Sequence, residues 1–316
     1  MRVAVVQFDP KIGQVQANIA SAKRLCDQIT PRSVDLICLP EMCFTGYVFT
    51  DSTHITPYLE DPLTGPTSLF CRELAQRVGC YVAAGYAERL AEHETTRVKV
   101  MIEQDDEDGL IEVESVEKEV HQVGANSAVV YDPNGVNVAD YRKTNLYKTD
   151  MTWAKPGTGF KTIQLPPPLN TVTLGICMDL NVHPPATWSM EGPYEIAEHC
   201  VQTNTDVLIL LNAWLSPGKE EDDDESSGLD KRSWTTLNYW ALRLSPLWSS
   251  EGRSDGAADA AKETTVIICN RCGEENGKTF AGTSAMFSMK RNSDRPVLLY
   301  ALTERAEGVG IWDSER

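Results

Sequence analysis

The chain has 316 residues, enough to bury a large core without cross-links, and its 9 cysteines are odd in number and follow no regular disulfide framework. A net charge of −17 and a pI near 4.7 set its surface against nucleic acid and anionic membranes while suiting cationic ligands, including a free amino group. MRVAVVQF carries no secretion signal and the longest apolar runs, such as VLILLNAWL (207–215), are too short to span a bilayer, so the reading is a soluble protein of the reducing cytoplasm with no nucleic-acid or membrane partner.

RVAVVQF (2–8) predicts a first strand, and a helix-like pattern follows at about 15–30. VDLICL (34–39) predicts a second strand. Pro40 stops it and Glu41 comes next, followed by Met42, Cys43 and Phe44. Apolar surroundings disfavour a carboxylate's charged form and lift its pKa toward the working range of a general base. A lone glutamate at a strand end is otherwise solvated.

A helix at 67–78 and a strand at 80–85 (CYVAAG) come next. The charged segment at about 95–123, which includes EQDDEDGLIEVESVEKE (103–119), has alternating apolar positions that suggest a hairpin. SAVVY (127–131) and the extended VNVADY flank the turn DPNG and lead to Lys143 in YRKTNLYKTD. Taken alone, Lys143 fits a surface lysine. PPP (166–168) reads as a rigid connector, and TVTLGI (171–176) is a strand ending at Cys177. Open α/β folds place functional groups just past the carboxyl ends of strands; the plain alternative is a buried structural thiol.

Further on, helix patterns at 189–203 and 233–245 alternate with strands at 206–212 (DVLILLN), 264–269 (TTVIIC) and 283–288 (TSAMFS). Polar stretches at about 216–232, carrying KEEDDDESS, and at 249–263 have loop composition. Interleaved strands and helices make an α/β chain. No linker divides it, so it reads as one domain over 1–316 with insertions at about 95–123, 216–232 and 249–263.

Cys269 and Cys272 form a C-x-x-C, but no second pair of similar spacing completes a zinc site, and the pair does not open a helix as a redox pair would. His183, six residues after Cys177 and beside two prolines, reads as a loop residue rather than the partner of a Cys-His dyad.

Glu41, Lys143 and Cys177 each follow a β-type run, in that order, and here the chain resembles the nitrilase superfamily of carbon–nitrogen hydrolases. The blocks are VAVVQFDPKIGQVQANI, LPEMCFTGY, YRKTNLY, LGICMDL and NRCGEENGKTFAGTSAMFS. The resemblance implies a four-layer α-β-β-α sandwich and a catalytic triad: Cys177 as nucleophile, Glu41 as general base and Lys143 as the cation facing the oxyanion. It implies no cofactor and no metal. YRKTNLYKTDMTW, GICMDLN, LLNAWLS and LNYWALRLSPLW are similar to a narrower group, the fungal-type N-terminal amidases. That group converts N-terminal asparagine or glutamine to the acid, releasing ammonia through a cysteine thioester. The implied partners are therefore peptide or protein N-termini bearing Asn or Gln, as in an N-degron pathway.

Two departures from the family bear on substrate binding. Amidases of the family often carry a second glutamate beyond the lysine; the nearest carboxylate here is Asp150. Many relatives also have an arginine two residues after the aspartate that follows the cysteine, where this chain has Asn181. Asp179 then lacks that partner, and either binds the substrate's α-ammonium or bonds within its own turn. Tyr47, Phe44 and Trp214 are candidates for the walls of the amide slot. A free small-molecule ω-amide as substrate, or a non-catalytic interaction protein on the same scaffold, remain as alternatives.

Overall fold

In the computed structural model, residues 1–103, 115–182, 189, 192–218, 232–250 and 262–314 are described. The first half of the chain runs β1 (Arg2–Gln7), α1 (Val15–Cys26), β2 (Leu36–Cys38), α2 (Ser52–Ile55), α3 (Pro66–Val78), β3 (Tyr81–Arg89), β4 (Thr96–Glu103), β5 (Ser115–Gln122), β6 (Gly124–Tyr131) and β7 (Asn137–Arg142). The second half runs β8 (Lys161–Gln164), β9 (Thr171–Ile176), α4 (Glu195–Gln202), β10 (Val207–Asn212), α5 (Trp234–Arg243), β11 (Glu263–Asn270), β12 (Glu274–Glu275), β13 (Lys278–Thr279), β14 (Ala285–Lys290), β15 (Val297–Ala301) and β16 (Gly308–Asp313).

Two six-stranded sheets result, ordered β16-β1-β2-β3-β6-β7 and β15-β14-β11-β10-β9-β8. Each has a parallel centre, β1-β2-β3 in one and β9-β10-β11 in the other, flanked by antiparallel strands. The alternation of side chains along a strand explains the layers. Val3 and Val5 of β1, with Leu36 and Cys38 of β2, meet Leu174, Ile176, Ile209 and Leu211 between the sheets. Ala4, Val6 and Ile37 point the other way, onto Ala22 and Cys26 of α1 and Cys71, Leu74 and Val78 of α3. On the far side Leu208, Leu210, Val266 and Ile268 pack against Ile196 and Cys200 of α4 and Leu237 and Trp240 of α5. The fold is an α-β-β-α sandwich. Central strands buried on both faces read as continuous apolar runs for this reason.

The hairpin suggested for the charged segment is present as β4 and β5, paired from Thr96↔Gln122 to Glu103↔Ser115. Residues 104–114, 219–231 and 251–261, which hold most of the expected insertions, lie outside the described residues. The short β8 and the C-terminal β16, which the apolar pattern does not announce, are edge strands of the two sheets, as is β15.

The carboxyl ends of β2, β9 and β10, with the end of β7, converge on one place. On the β2 side the approach is very close: Leu39 N–H and Cys43 N–H donate to Ala83 and Gly85 of β3 at 2.9 and 3.0 Å. A Cβ on Gly85 would sit 2.6 Å from the Glu41 Cα and 2.9 Å from the Met42 nitrogen. Gly85 is thus the residue that lets the Glu41 backbone lie down on β3. Gly85→Ala is expected to cost about 1–3 kcal/mol in urea unfolding, the usual range for overpacking, and to lower kcat/KM more than that loss of folded protein explains, because the displaced backbone carries Glu41.

Candidate active site

Cys177 follows β9 in a left-handed conformation (φ 42°) that turns the chain sharply into a short 3-10 turn, Cys177–Leu180. A non-glycine residue pays on the order of 1–3 kcal/mol to stay there and persists only where its surroundings hold it. Asn212, ending the neighbouring β10, supplies that hold by accepting the Cys177 backbone N–H at 3.0 Å. Met42, directly after Glu41, is likewise left-handed (φ 45°), so both chains bend at the point where they deliver a functional group.

Glu41 and Lys143 are fully buried and ion-paired at 2.7 Å. Glu41 Oε1 accepts from Lys143 Nζ at 2.7 Å and from Asn126 Nδ2 at 2.6 Å; Oε2 accepts from the Ala213 N–H at 2.6 Å. Lys143 also donates to Asp150 Oδ2 at 2.7 Å. Burial raises the Glu41 pKa while the Lys143 charge opposes it. Burial works against the Lys143 ammonium, but the Asp150 and Glu41 carboxylates outweigh it and hold the pKa above the ordinary lysine value. Burial and the Glu41 charge push the Cys177 thiol well up, with Lys143 pulling the other way. The resting thiol therefore keeps its proton, and Glu41 is the carboxylate charge that acts on it most. A protonated thiol, a buried carboxylate and a fixed ammonium are the parts that acyl transfer requires.

The structure thus brings Glu41, Lys143 and Cys177 together, and relocates the residues expected to bind substrate. Asp179 is fully buried and saturated: Oδ1 accepts the Thr144 and Asn145 N–H groups at 3.0 and 2.8 Å, and Oδ2 accepts Tyr141 OH and Ile176 N–H at 2.7 and 2.8 Å. It has no lone pair left for an α-ammonium and instead ties the segment after Lys143 to the turn at Cys177. Burial raises its pKa to about 6 against these donors. Asp150 is also fully buried; it accepts from Asn126, Lys143, Tyr47 OH (3.2 Å) and Tyr147 N–H (3.0 Å), and so holds the Lys143 ammonium in place.

Tyr47 is buried with its hydroxyl on Asp150 and its ring 5.6 Å from Lys143 Nζ, and its edge borders a groove of about 280 Å³ shared with Val48, Tyr147 and Leu215. Trp214 is half-buried against Tyr239 and Trp240, one residue from the Ala213 N–H that Glu41 accepts. Phe44 points outward into the α3 layer, 5.0 Å from Phe70, and lines no slot. His183 lies outside the described residues. Cys269 and Cys272 part company: the first donates to the Cys38 carbonyl, the second to that of Ala306. Between them Asn270 accepts the Trp214 N–H at 2.8 Å. Near Asn181, Arg243 of α5 donates to the Leu180 and Pro193 carbonyls at 2.9 and 3.0 Å, and Asn181 accepts from Tyr239 OH at 2.7 Å. Asn126 and Asn212 escape the sequence reading. Their one signal is a polar residue in an otherwise apolar strand, which calls for a partner inside the fold.

The profile of the carbon–nitrogen hydrolase family matches residues 2–184. Over 334 aligned residues covering all of both chains, the sequence is 28% identical to a protein N-terminal amidase of Schizosaccharomyces pombe. It is also 28% identical to the Saccharomyces cerevisiae protein of that description over 68% of this chain and 45% of that one. A crystal structure of an N-terminal amidase with an Asn-Glu-Ala peptide superposes with a TM-score of 0.77 at 20% identity, covering 99% of this chain and 97% of that one.

Asp179→Asn places an amide hydrogen against two backbone or hydroxyl donors. It is expected to lower stability by about 2–3 kcal/mol, the cost of stranding buried donors, when followed by urea unfolding. The accompanying loss of activity should fall on kcat, with KM changing little.

Proposed function

Because the chain belongs to the carbon–nitrogen hydrolase family, we propose that it deamidates the side-chain carboxamide of N-terminal asparagine or glutamine in peptides and proteins, giving aspartate or glutamate and ammonia. The observation that carries the reaction is the buried Glu41–Lys143 pair meeting Cys177 at the carboxyl ends of β2, β7 and β9. The substrate assignment rests on similarity along the whole chain to a protein N-terminal amidase and on the likeness of fold to one solved with a peptide.

In this mechanism Glu41 takes the Cys177 thiol proton as sulfur attacks the carboxamide carbon, and Lys143 faces the oxyanion of the tetrahedral intermediate. Glu41 returns the proton to nitrogen, the C–N bond breaks, ammonia leaves and a thioester remains. Water then attacks with Glu41 again accepting its proton. The C–S bond breaks, the acid departs and the thiol is restored. A poor leaving group explains why the base must also serve as acid. Asp150 keeps the ammonium charged and aimed throughout. An acidic surface favours substrates with a free ammonium, and nine unpaired cysteines suit a reducing compartment such as the cytoplasm. Among the described residues no helix is long and apolar enough to cross a membrane.

Ammonia release from peptides beginning with Asn, Gln or N-acetyl-Asn, and from a free ω-amide, tests the assignment. The two free-amino peptides should be consumed and the acetylated one spared. Equal turnover of the acetylated peptide, or preference for the free amide, would point to a small-molecule amidase. Cys177→Ser should keep the fold by circular dichroism and lose activity by on the order of 10⁴-fold or more. Full residual activity would remove the thiol from the chemistry.

A further inference from the structure

Asn126 sits in β6, fully buried in a strand of eight buried residues. Its Nδ2 donates to Glu41 Oε1 at 2.6 Å and to Asp150 Oδ1 at 3.0 Å. Both neighbours are acceptors, so the amide has one possible orientation, with its NH₂ toward the carboxylates. That orientation leaves Oδ1 buried without a hydrogen-bond partner. A fold that carries an orphaned acceptor beside its candidate active site is keeping the donors in place at a cost, and such groups call for an explanation.

The explanation lies in how the two oxygens of Glu41 differ. Oε1 already receives two donors, Lys143 Nζ and Asn126 Nδ2, and neither can accept. A proton on Oε1 would point at an ammonium and an amide NH₂. Oε2 receives only the Ala213 N–H, and that same N–H lies against the Cys177 thiol. We propose that Asn126 is a positioning residue that closes Glu41 Oε1 to protons, so that the thiol proton of Cys177 enters and leaves through Oε2 alone. The proposal rests on the role of Glu41 as general base given above.

The step balances within the residues present. The S–H bond breaks, its proton bonds to Oε2 and its electron pair stays on sulfur to form the C–S bond; the Oε2–H bond then breaks to protonate the leaving nitrogen. One-sided protonation keeps the carried proton next to the reacting atoms, on the side of Ala213 and Cys177. It also leaves Oε1 free to anchor Lys143 through the whole cycle. The charged and titratable groups facing Glu41 are Lys143 at the end of β7, Asp150 in the turn after it, Cys177 at the end of β9 and Tyr47 in the loop after β2. Beside them Asn126 is the neutral side chain whose hydrogen bond favours the ionised carboxylate.

The test is the pH dependence of Cys177 alkylation by iodoacetamide, read by mass spectrometry of the Cys177 peptide, beside that of kcat/KM for an Asn-initiated peptide. In Asn126→Ala the lost donor should move the acid limb of both profiles to higher pH. The kcat should fall about 10- to 100-fold, with KM within about twofold. Asn126→Asp, which sets a carboxylate against Glu41, should move the limb further. If the alanine variant fails to fold, Asn126→Ser, which keeps one donor, should give an intermediate limb. An acid limb that stays in place in the variants that fold, with activity tracking only the loss of Tm, would overturn the proposal. The alkylation profile needs no substrate. A shifted alkylation limb in a protein that ignores N-terminal Asn and Gln would therefore sink the substrate assignment and leave the role of Asn126 standing.

Discussion

The ammonium of Lys143, held at 2.7 Å by Glu41 on one side and by Asp150 on the other with no solvent exposure, is the constraint around which the site is built. Taking one cation and two anions out of water costs several kcal/mol per ion, and the attraction offsets it only when geometry is close and the remaining lone pairs are satisfied. At an effective dielectric near 20, opposite charges 4 Å apart attract by about 4 kcal/mol, so two contacts at this range are comparable to the penalty. The remainder is met by neutral donors: Asn126 serves both carboxylates, Ala213 N–H serves Glu41, and Tyr47 and Tyr147 serve Asp150. Removing any one of these groups leaves a buried charge short of a partner.

Those donors come from both sheets, which is why the site needs the whole sandwich. Asn126 belongs to the N-terminal sheet and Ala213 to the end of β10 in the C-terminal sheet. In the C-terminal sheet, two neighbouring strand ends are each tied by a side chain of the next strand. Asn212 of β10 holds Cys177 after β9, and Asn270 of β11 holds Trp214 after β10. Asn212 and Asn270 face each other in register. The C-x-x-C pair therefore frames a strand-end clamp, in which the asparagine and arginine between the cysteines do the holding. Arg271 lies over the Phe280 ring at 3.8 Å and pairs with Glu275 at 2.7 Å. Glu275 in turn accepts the backbone N–H groups of Tyr47 and Val48. Gly46, with φ 79°, lets that loop pass, since a Cβ there would meet the Ile12 Cα at 2.6 Å.

Much of this was legible in the residues themselves. Strands buried on both faces read as unbroken apolar runs, and helices between them as longer amphipathic ones, because burial on one or two faces is recorded directly in local periodicity. Glu41, Lys143 and Cys177 each follow such a run, but taken singly each also fits a bland reading, and it is the resemblance to the family that singles the three out together. Edge strands β8, β15 and β16 left a weaker trace, being half-exposed and short. Asp179 shows the limit of the same reasoning. Two residues after a cysteine, with asparagine in place of the family's arginine, it reads either as a carboxylate that binds an ammonium or as one bonded within its own turn, and four donors from two segments of chain, 141–145 and Ile176, occupy it.

The sequence by itself determined the interleaved strands and helices of an α/β chain, and its resemblance to the family implied the layers and the three groups expected to meet at the strand ends. Only the tertiary structure decided which carboxylate faces what: that Glu41 and Asp150 flank Lys143, that Asn126 bridges the two carboxylates, and that Asn212 props the turn at Cys177. The reason is separation along the chain. Periodicity is a property of neighbours three or four residues apart, whereas the bonds that assign these roles join residues 85 positions apart (Glu41 and Asn126), 102 apart (Glu41 and Lys143) and 172 apart (Glu41 and Ala213). A polar side chain inside an apolar strand announces that it has a partner, and only the packed sheets decide which.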